Sequence, residues 1–122
     1  MTKQKLETRS SQRTIADLAF VGLNSRVFAL DRYTGELVWQ WKSPEGTGYV
    51  FVLLDGDRLI VSVMGYIYCL DPVFGQEVWR NPLKGFGVGV TSLATAHGQS
   101  NPDGAAIAHL QQQRAAQQTV IT

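Results

Sequence analysis

One short pattern occurs twice in this chain of 122 residues, at a spacing of 40 positions. The first copy runs from residue 29 to residue 39, and the second from residue 69 to residue 79. Three anchor residues are unchanged between the two copies: Asp31/Asp71, Gly35/Gly75 and Trp39/Trp79. A repeat of this length predicts stacked structural units, each of which buries its apolar face against the next unit.

Each copy of the pattern predicts two strands joined by a tight turn. An Asp side chain can accept hydrogen bonds from the backbone that follows it, and Gly adopts positive φ without a Cβ clash. Apolar runs at 27–30 and 37–39 flank the first turn, which favours an antiparallel hairpin. Tryptophan offers a large apolar plate with one N–H donor, so we expect Trp39 and Trp79 to be buried between neighbouring units.

The same register continues on both sides of the pattern without a gap. It predicts strands at 18–23, 26–30 and 36–42 in the first unit, and at 49–54, 58–64, 66–71 and 76–81 in the second. The first unit therefore has one strand fewer, because residues 9–14 contain no apolar side chain to bury. A further strand is predicted at 87–93, since Val90 and Leu93 follow Val50 and Leu53 by 40 positions.

The first copy reads Ala-x-Asp-x-x-Thr-Gly-x-x-x-Trp and resembles the tryptophan-docking motif of quinoprotein-type β-propellers, the pyrroloquinoline-quinone (PQQ) repeat family. The matching residues are Ala29, Asp31, Thr34, Gly35 and Trp39 in the first copy and Asp71, Gly75 and Trp79 in the second. The second copy departs from the motif at Cys69 and Phe74. The resemblance covers about residues 15–95. It implies an all-β fold of two four-stranded antiparallel blades arranged around an axis, in a family with many scaffolds that bind no quinone.

The resemblance divides the chain into three regions. Residues 1–13 are polar and sparsely basic and are expected to form a flexible arm. The blades are expected at 14–46 and 47–86, followed by a closing strand at 87–95. Residues 96–122 are expected to form a loop, over 96–104, and then an Ala- and Gln-rich helical tail.

Two blades cannot bury both of their faces, so we expect several identical chains to assemble into a ring. The closing strand would complete the first blade of the next copy by strand exchange, through Val88, Val90 and Leu93. Head-to-tail contacts of this kind close into rings or continue as fibres. Since each chain brings two blades, a homo-tetramer of eight blades is favoured and a homo-trimer of six is the alternative.

Composition narrows the choice of partner and compartment. A net charge of +1 disfavours nucleic acid and anionic membranes as partners. No apolar run is long enough to span a membrane. The N-terminus has no apolar leader, and a single Cys excludes an internal disulfide, so we expect a cytoplasmic protein.

The sequence predicts no catalytic residue, no metal site and no bound cofactor. His97 and His109 lie far from each other and lack metal-ligand spacing, and we expect both at the surface. Cys69 lies within a predicted strand, and no His is placed near it, so a small buried side chain is expected. The glycines of 85–89 lack the strand-and-helix context of a phosphate loop.

Three functions remain open from the sequence. The favoured one is a non-catalytic scaffold that binds copies of itself or another protein. The second is a propeller that binds a small ligand or a carbohydrate. The third is a piece of a PQQ-dependent dehydrogenase, although dehydrogenases of the resembled family look like long secreted chains with adjacent cysteines and a calcium site.

Overall fold

The computed structural model of the protein describes residues 13–100, and they fold almost entirely as antiparallel β-sheet. One short 3-10 helix at Ile15–Asp17 precedes the strands. The first sheet holds β1 (Leu18–Leu23), β2 (Arg26–Asp31) and β3 (Leu37–Lys42). The second holds β4 (Val50–Asp55), β5 (Arg58–Val63), β6 (Tyr66–Leu70) and β7 (Glu77–Asn81), and the third holds β8 (Leu93–Thr95) and β9 (Gly98–Ser100). The predicted all-β class is confirmed.

The first two sheets, which we call blade one and blade two, repeat each other residue by residue. Each connects its strands in chain order, β1-β2-β3 and β4-β5-β6-β7. Ala29 pairs with Trp39 in blade one, and Cys69 pairs with Trp79 in blade two. The register shifts directly after Ala29 and directly after Cys69, so even the irregularity of the ladder recurs. The predicted bounds of these seven strands differ from the observed ones by one residue at most.

Blade one has three strands in the described part of the chain. The sequence predicted four strands, of which a neighbouring copy would contribute the fourth. Strand exchange between copies stays a prediction. Blade two has its four strands within the chain.

The predicted closing strand is shorter than expected, and the predicted loop after it is wrong at Gly98–Ser100. Only Leu93–Thr95 of the region 87–95 is a strand, and it pairs with Gly98–Ser100. Gly87 has φ +86°, which interrupts an extended chain. Leu93 pairs with Ser100 as Leu53 pairs with Ile60, so the repeat continues into the first hairpin of a third unit. The predicted arm and helical tail lie outside the described residues, save for residue 13.

The core lies mainly in blade two. Its fully buried side chains are Val27, Leu59, Val61, Val63, Tyr68 and Leu70. Strand β5 contributes three of the six, more than any other strand, because β4 and β6 pair with it on both sides. Strand β1 approaches β4, and the β8–β9 hairpin also packs on β4. Blade two is therefore the better covered of the two units.

Candidate functional site

The two Asp–Gly turns have the same hydrogen bonds. Asp31 Oδ1 accepts from the backbone N–H of Tyr33 and Thr34 at 2.8 and 3.1 Å, and its carbonyl accepts from Gly35 at 2.8 Å. The Asp71 carboxylate accepts from the backbone N–H groups of the second turn at the same two distances. Gly35 and Gly75 have φ of +78° and +76°, a conformation that favours glycine. The turn is therefore set by the local sequence.

Trp39 of blade one lies on the turn of blade two. Its indole Nε1 donates a hydrogen bond of 3.0 Å to the carbonyl of Pro72. A Cβ placed at Gly75 would lie 2.5 Å from the indole ring, so Gly75 is required both for its φ and for this approach. The other side of the indole meets Phe20 of β1, with ring centroids 6.1 Å apart.

A second aromatic contact joins the blades, through Trp41 and Tyr68. Trp41 meets the ring of Tyr68 edge-on at 4.8 Å between centroids. The Tyr68 hydroxyl donates to the carbonyl of Glu45 at 2.7 Å and accepts from the N–H of Glu45 at 3.1 Å. Tyr68 thus fixes the loop that connects the blades. A Tyr at the place where blade one has Phe28 was the available signal, because a buried Tyr needs a partner for its hydroxyl.

Trp79 has no equivalent contact in the described residues. Its side chain is 43% exposed, whereas Trp39 is half-buried. The large apolar residues that are exposed in the second turn and after it are Phe74, Val78, Trp79, Leu83, Phe86 and Val88. They are six of the eleven large apolar residues that are exposed among the described residues.

The remaining predicted site residues have structural positions. Ala29 is fully buried in β2. The Thr34 hydroxyl accepts a hydrogen bond of 3.2 Å from the backbone N–H of Glu36. Of the three predicted closing-strand residues, Leu93 is buried, Val90 is half-buried and Val88 is exposed. The structure does not test their role in closing a ring, which stays a prediction.

The ionisable groups of the described residues do not converge on one point. Backbone hydrogen bonds from Tyr33 and Thr34, with the Arg13 guanidinium at 3.3 Å, lower the pKa of Asp31 against a smaller cost of burial. Burial raises the pKa of the Cys69 thiol, which favours its neutral form. His97 is exposed and its Nδ1 lies 2.6 Å from a carboxylate oxygen of Asp55.

Residues 13–100 bring together no group of three side chains that could hold a metal ion. Over the same residues, no helix has the length and apolar character needed to cross a membrane. The described surface also includes exposed large apolar side chains, which are typical of contact surfaces when they form contiguous patches.

Comparison with known proteins agrees with this architecture. The profile of the family described as outer membrane protein assembly factor BamB, a PQQ-repeat family, matches residues 23–116. The match includes both tryptophan turns and the β8–β9 hairpin.

Two curated relatives match part of the chain. An outer membrane protein assembly factor BamB of Legionella pneumophila is 33% identical over 89 residues, which cover 63% of this chain and 23% of that protein. A 1-butanol dehydrogenase (quinone) of Thauera butanivorans is 35% identical over 85 residues, which cover 55% of this chain and 14% of that protein. The chain thus spans less than a quarter of either relative.

Proposed function

The chain belongs to the PQQ-repeat family represented by outer membrane protein assembly factor BamB, and on that premise we propose that it is a non-catalytic protein-binding scaffold. It carries propeller blades whose uncovered faces recruit other propeller blades. Its favoured partner is a second copy of itself. A closed ring of four chains and eight blades is the proposed assembly, with three chains as the alternative.

One observation carries this proposal: the exposed apolar side chains between residues 74 and 88. Six large apolar residues are exposed there, on the turn and last strand of blade two and in the segment that follows. Phe86 is 85% exposed and Phe74 is 71% exposed. Large exposed apolar patches on soluble folds mark contact surfaces, and repeat proteins need neighbouring units to cover such faces.

The oligomeric mass of the full 122-residue chain tests the scaffold. Native mass spectrometry of the purified protein is expected to show four chains. Removal of residues 86–122 is expected to abolish the assembly, because it deletes the closing strand, whereas removal of residues 1–10 leaves it intact. A wild-type chain that stays monomeric at all concentrations would contradict the proposed assembly, and equal assembly of the two truncated chains would contradict the strand exchange.

A quinone-dependent activity is the second candidate, and it rests on the similarity to the 1-butanol dehydrogenase (quinone) of Thauera butanivorans. Titration of the protein with pyrroloquinoline quinone separates the two functions, because bound quinone absorbs visible light. We expect no saturable binding. Stoichiometric binding by the isolated chain would contradict a purely structural role.

A further inference from the structure

The contact between the two blades has two halves, which we call the docking tryptophan and the receiving turn. The docking tryptophan of blade one is Trp39. The receiving turn of blade two runs from Asp71 to Gly75, and Trp39 both donates to the Pro72 carbonyl and covers Gly75. Inside the chain this pair is complete.

Each blade also carries the other half of the same contact, and those halves are unmatched. Trp79 is the docking tryptophan of blade two and is 43% exposed. The receiving turn of blade one ends at Gly35, and among the described residues no atom lies within 4 Å of the place a Cβ would take there. Because the two blades share their ladder register, Trp79 projects from β7 as Trp39 projects from β3.

The burial of the surrounding residues shows the same difference. Pro72 is buried in the filled turn, and its equivalent Arg32 is exposed in the empty one. Tyr68 is 1% exposed against the neighbouring blade, and its equivalent Phe28 is only half-buried. Within residues 13–100, one end of the blade pair therefore lacks a docked tryptophan, and the other end lacks a receiving turn.

We infer that Trp79 docks on the Asp31–Gly35 turn of a second copy of this chain, with its indole Nε1 donating to the carbonyl of Arg32. This inference rests on the proposed scaffold and specifies its contact surface. The internal contact of Trp39 with Pro72 and Gly75 is the template, because the two turns have the same hydrogen bonds and the same φ at glycine. The contact is head-to-tail, so it leaves each added copy able to bind the next.

The chain's own sequence does not supply a third receiving turn at the repeat spacing. The positions 40 residues after Asp71 and Gly75 hold Gln111 and Ala115. Neither residue can provide both the carboxylate acceptor and the bare Cα that the turn requires. The β8–β9 hairpin packs on β4, and Trp79 remains exposed with the hairpin in place. The unmatched tryptophan and the unmatched turn of the described residues are complementary, so a second copy of this chain can supply what each of them lacks.

Charge marks the two outer faces in opposite ways. The residues that line the internal cleft between the blades are Arg13, Glu36, Leu37, Val38, Trp39, Val73 and Phe74. On the outer faces, Glu77 stands where the docking side of blade one has Leu37, and Arg32 stands where the receiving turn of blade two has Pro72. A docking side with Glu77 and a receiving turn with Arg32 carry opposite charges, which favours their association. In the single chain Glu77 pairs with Arg80 at 2.8 Å, and Arg32 lies over the Tyr33 ring.

Two single variants and their mixture test the inference by sedimentation velocity on the full chain. Trp79→Ala removes the docking tryptophan, and Gly35→Asn places a Cβ in the receiving turn with the residue that best tolerates positive φ. Each variant alone is expected to self-associate about 30-fold more weakly or worse, as for a central aromatic contact. An equimolar mixture is expected to form a one-to-one heterodimer, because each variant keeps the half that the other has lost.

Charge reversal provides an independent test that leaves both glycine and tryptophan in place. Arg32→Glu and Glu77→Arg are each expected to weaken association, and the double variant is expected to restore it. Circular dichroism of every variant confirms the fold, so loss of assembly is not read from an unfolded chain.

Two results would overturn the inference in distinguishable ways. If the wild type assembles and Trp79→Ala assembles equally well, the contact is elsewhere and the scaffold proposal still holds. If the wild type stays monomeric up to millimolar concentration, both the contact and the proposed self-assembly are wrong, and the exposed face receives a different protein.

Discussion

The turns at Asp31–Gly35 and Asp71–Gly75 differ in their surroundings and hardly at all in their internal geometry. Both have the same backbone hydrogen bonds at matching distances. Among the described residues, a tryptophan covers the second turn and none covers the first. The comparison shows that the local sequence is sufficient to form the turn. The docked tryptophan is an additional tertiary contact, and the turn keeps its geometry without it.

The tryptophans offer the strongest way to test this difference. Trp39→Ala removes the indole contact with Gly75 and Phe20 and the hydrogen bond to Pro72, and we expect a loss of about 3 kcal/mol in the free energy of unfolding. Trp79→Ala, measured in dilute solution, is the matched control and should change it by less than about 0.5 kcal/mol. Urea denaturation of both variants is the measurement. Equal losses would show that Trp39 does not dock in the way its geometry suggests.

The glycines give a smaller but cleaner comparison. Gly35→Ala costs only the strain of positive φ, about 1–2 kcal/mol. Gly75→Ala adds a clash, because its Cβ would lie 2.5 Å from the Trp39 ring, and overpacking costs about 1–3 kcal/mol more. Thermal unfolding of the two variants should therefore separate them. In a Trp39→Ala background the two glycine substitutions should become equivalent.

The smallest expected effect is on how the free energy of unfolding depends on pH. The pKa of Asp31 is lowered by the backbone N–H of Tyr33 first, with further help from Thr34 and Arg13. A lowered pKa in the folded state means that the ionised carboxylate stabilises the fold above the ordinary value of about 4, and that this stability is lost as the pH falls through the lowered pKa. Asp31→Asn should flatten the acid limb of the stability curve below about pH 4. The free energy of unfolding is measured by urea titration at several pH values. If its decrease at acid pH is the same in Asp31→Asn as in the wild type, the predicted contribution of Asp31 is wrong.

The sequence predicted the two blades closely because their signals are local and repeated. The paired Asp and Gly residues mark each turn, and apolar alternation marks the strands on either side. The +40 register then transfers each assignment from one blade to the other. This explains why seven strand positions agree to within one residue.

The second strand of the β8–β9 hairpin was missed because it has little strand character of its own. Gly98–Ser100 is short and polar, and its pairing depends on a partner strand and on packing against β4. A Cβ at Gly98 would lie 3.4 Å from the Leu53 side chain, so this end of the hairpin lies against β4. The role of Tyr68 was missed for a related reason, since its hydroxyl partners at residue 45 are 23 positions away.

The order in which the blades can form follows from their strand pairing. Each strand pairs with its sequence neighbour, through hairpins such as Leu23↔Arg26 and Val63↔Tyr66. The Trp39–Pro72 contact spans 33 positions. Short loops close at a lower entropic cost than long ones, and local pairing speeds folding. Each blade can thus form quickly as a β-meander, largely independently of the other blade. The docking of Trp39 then joins two sheets that have already formed.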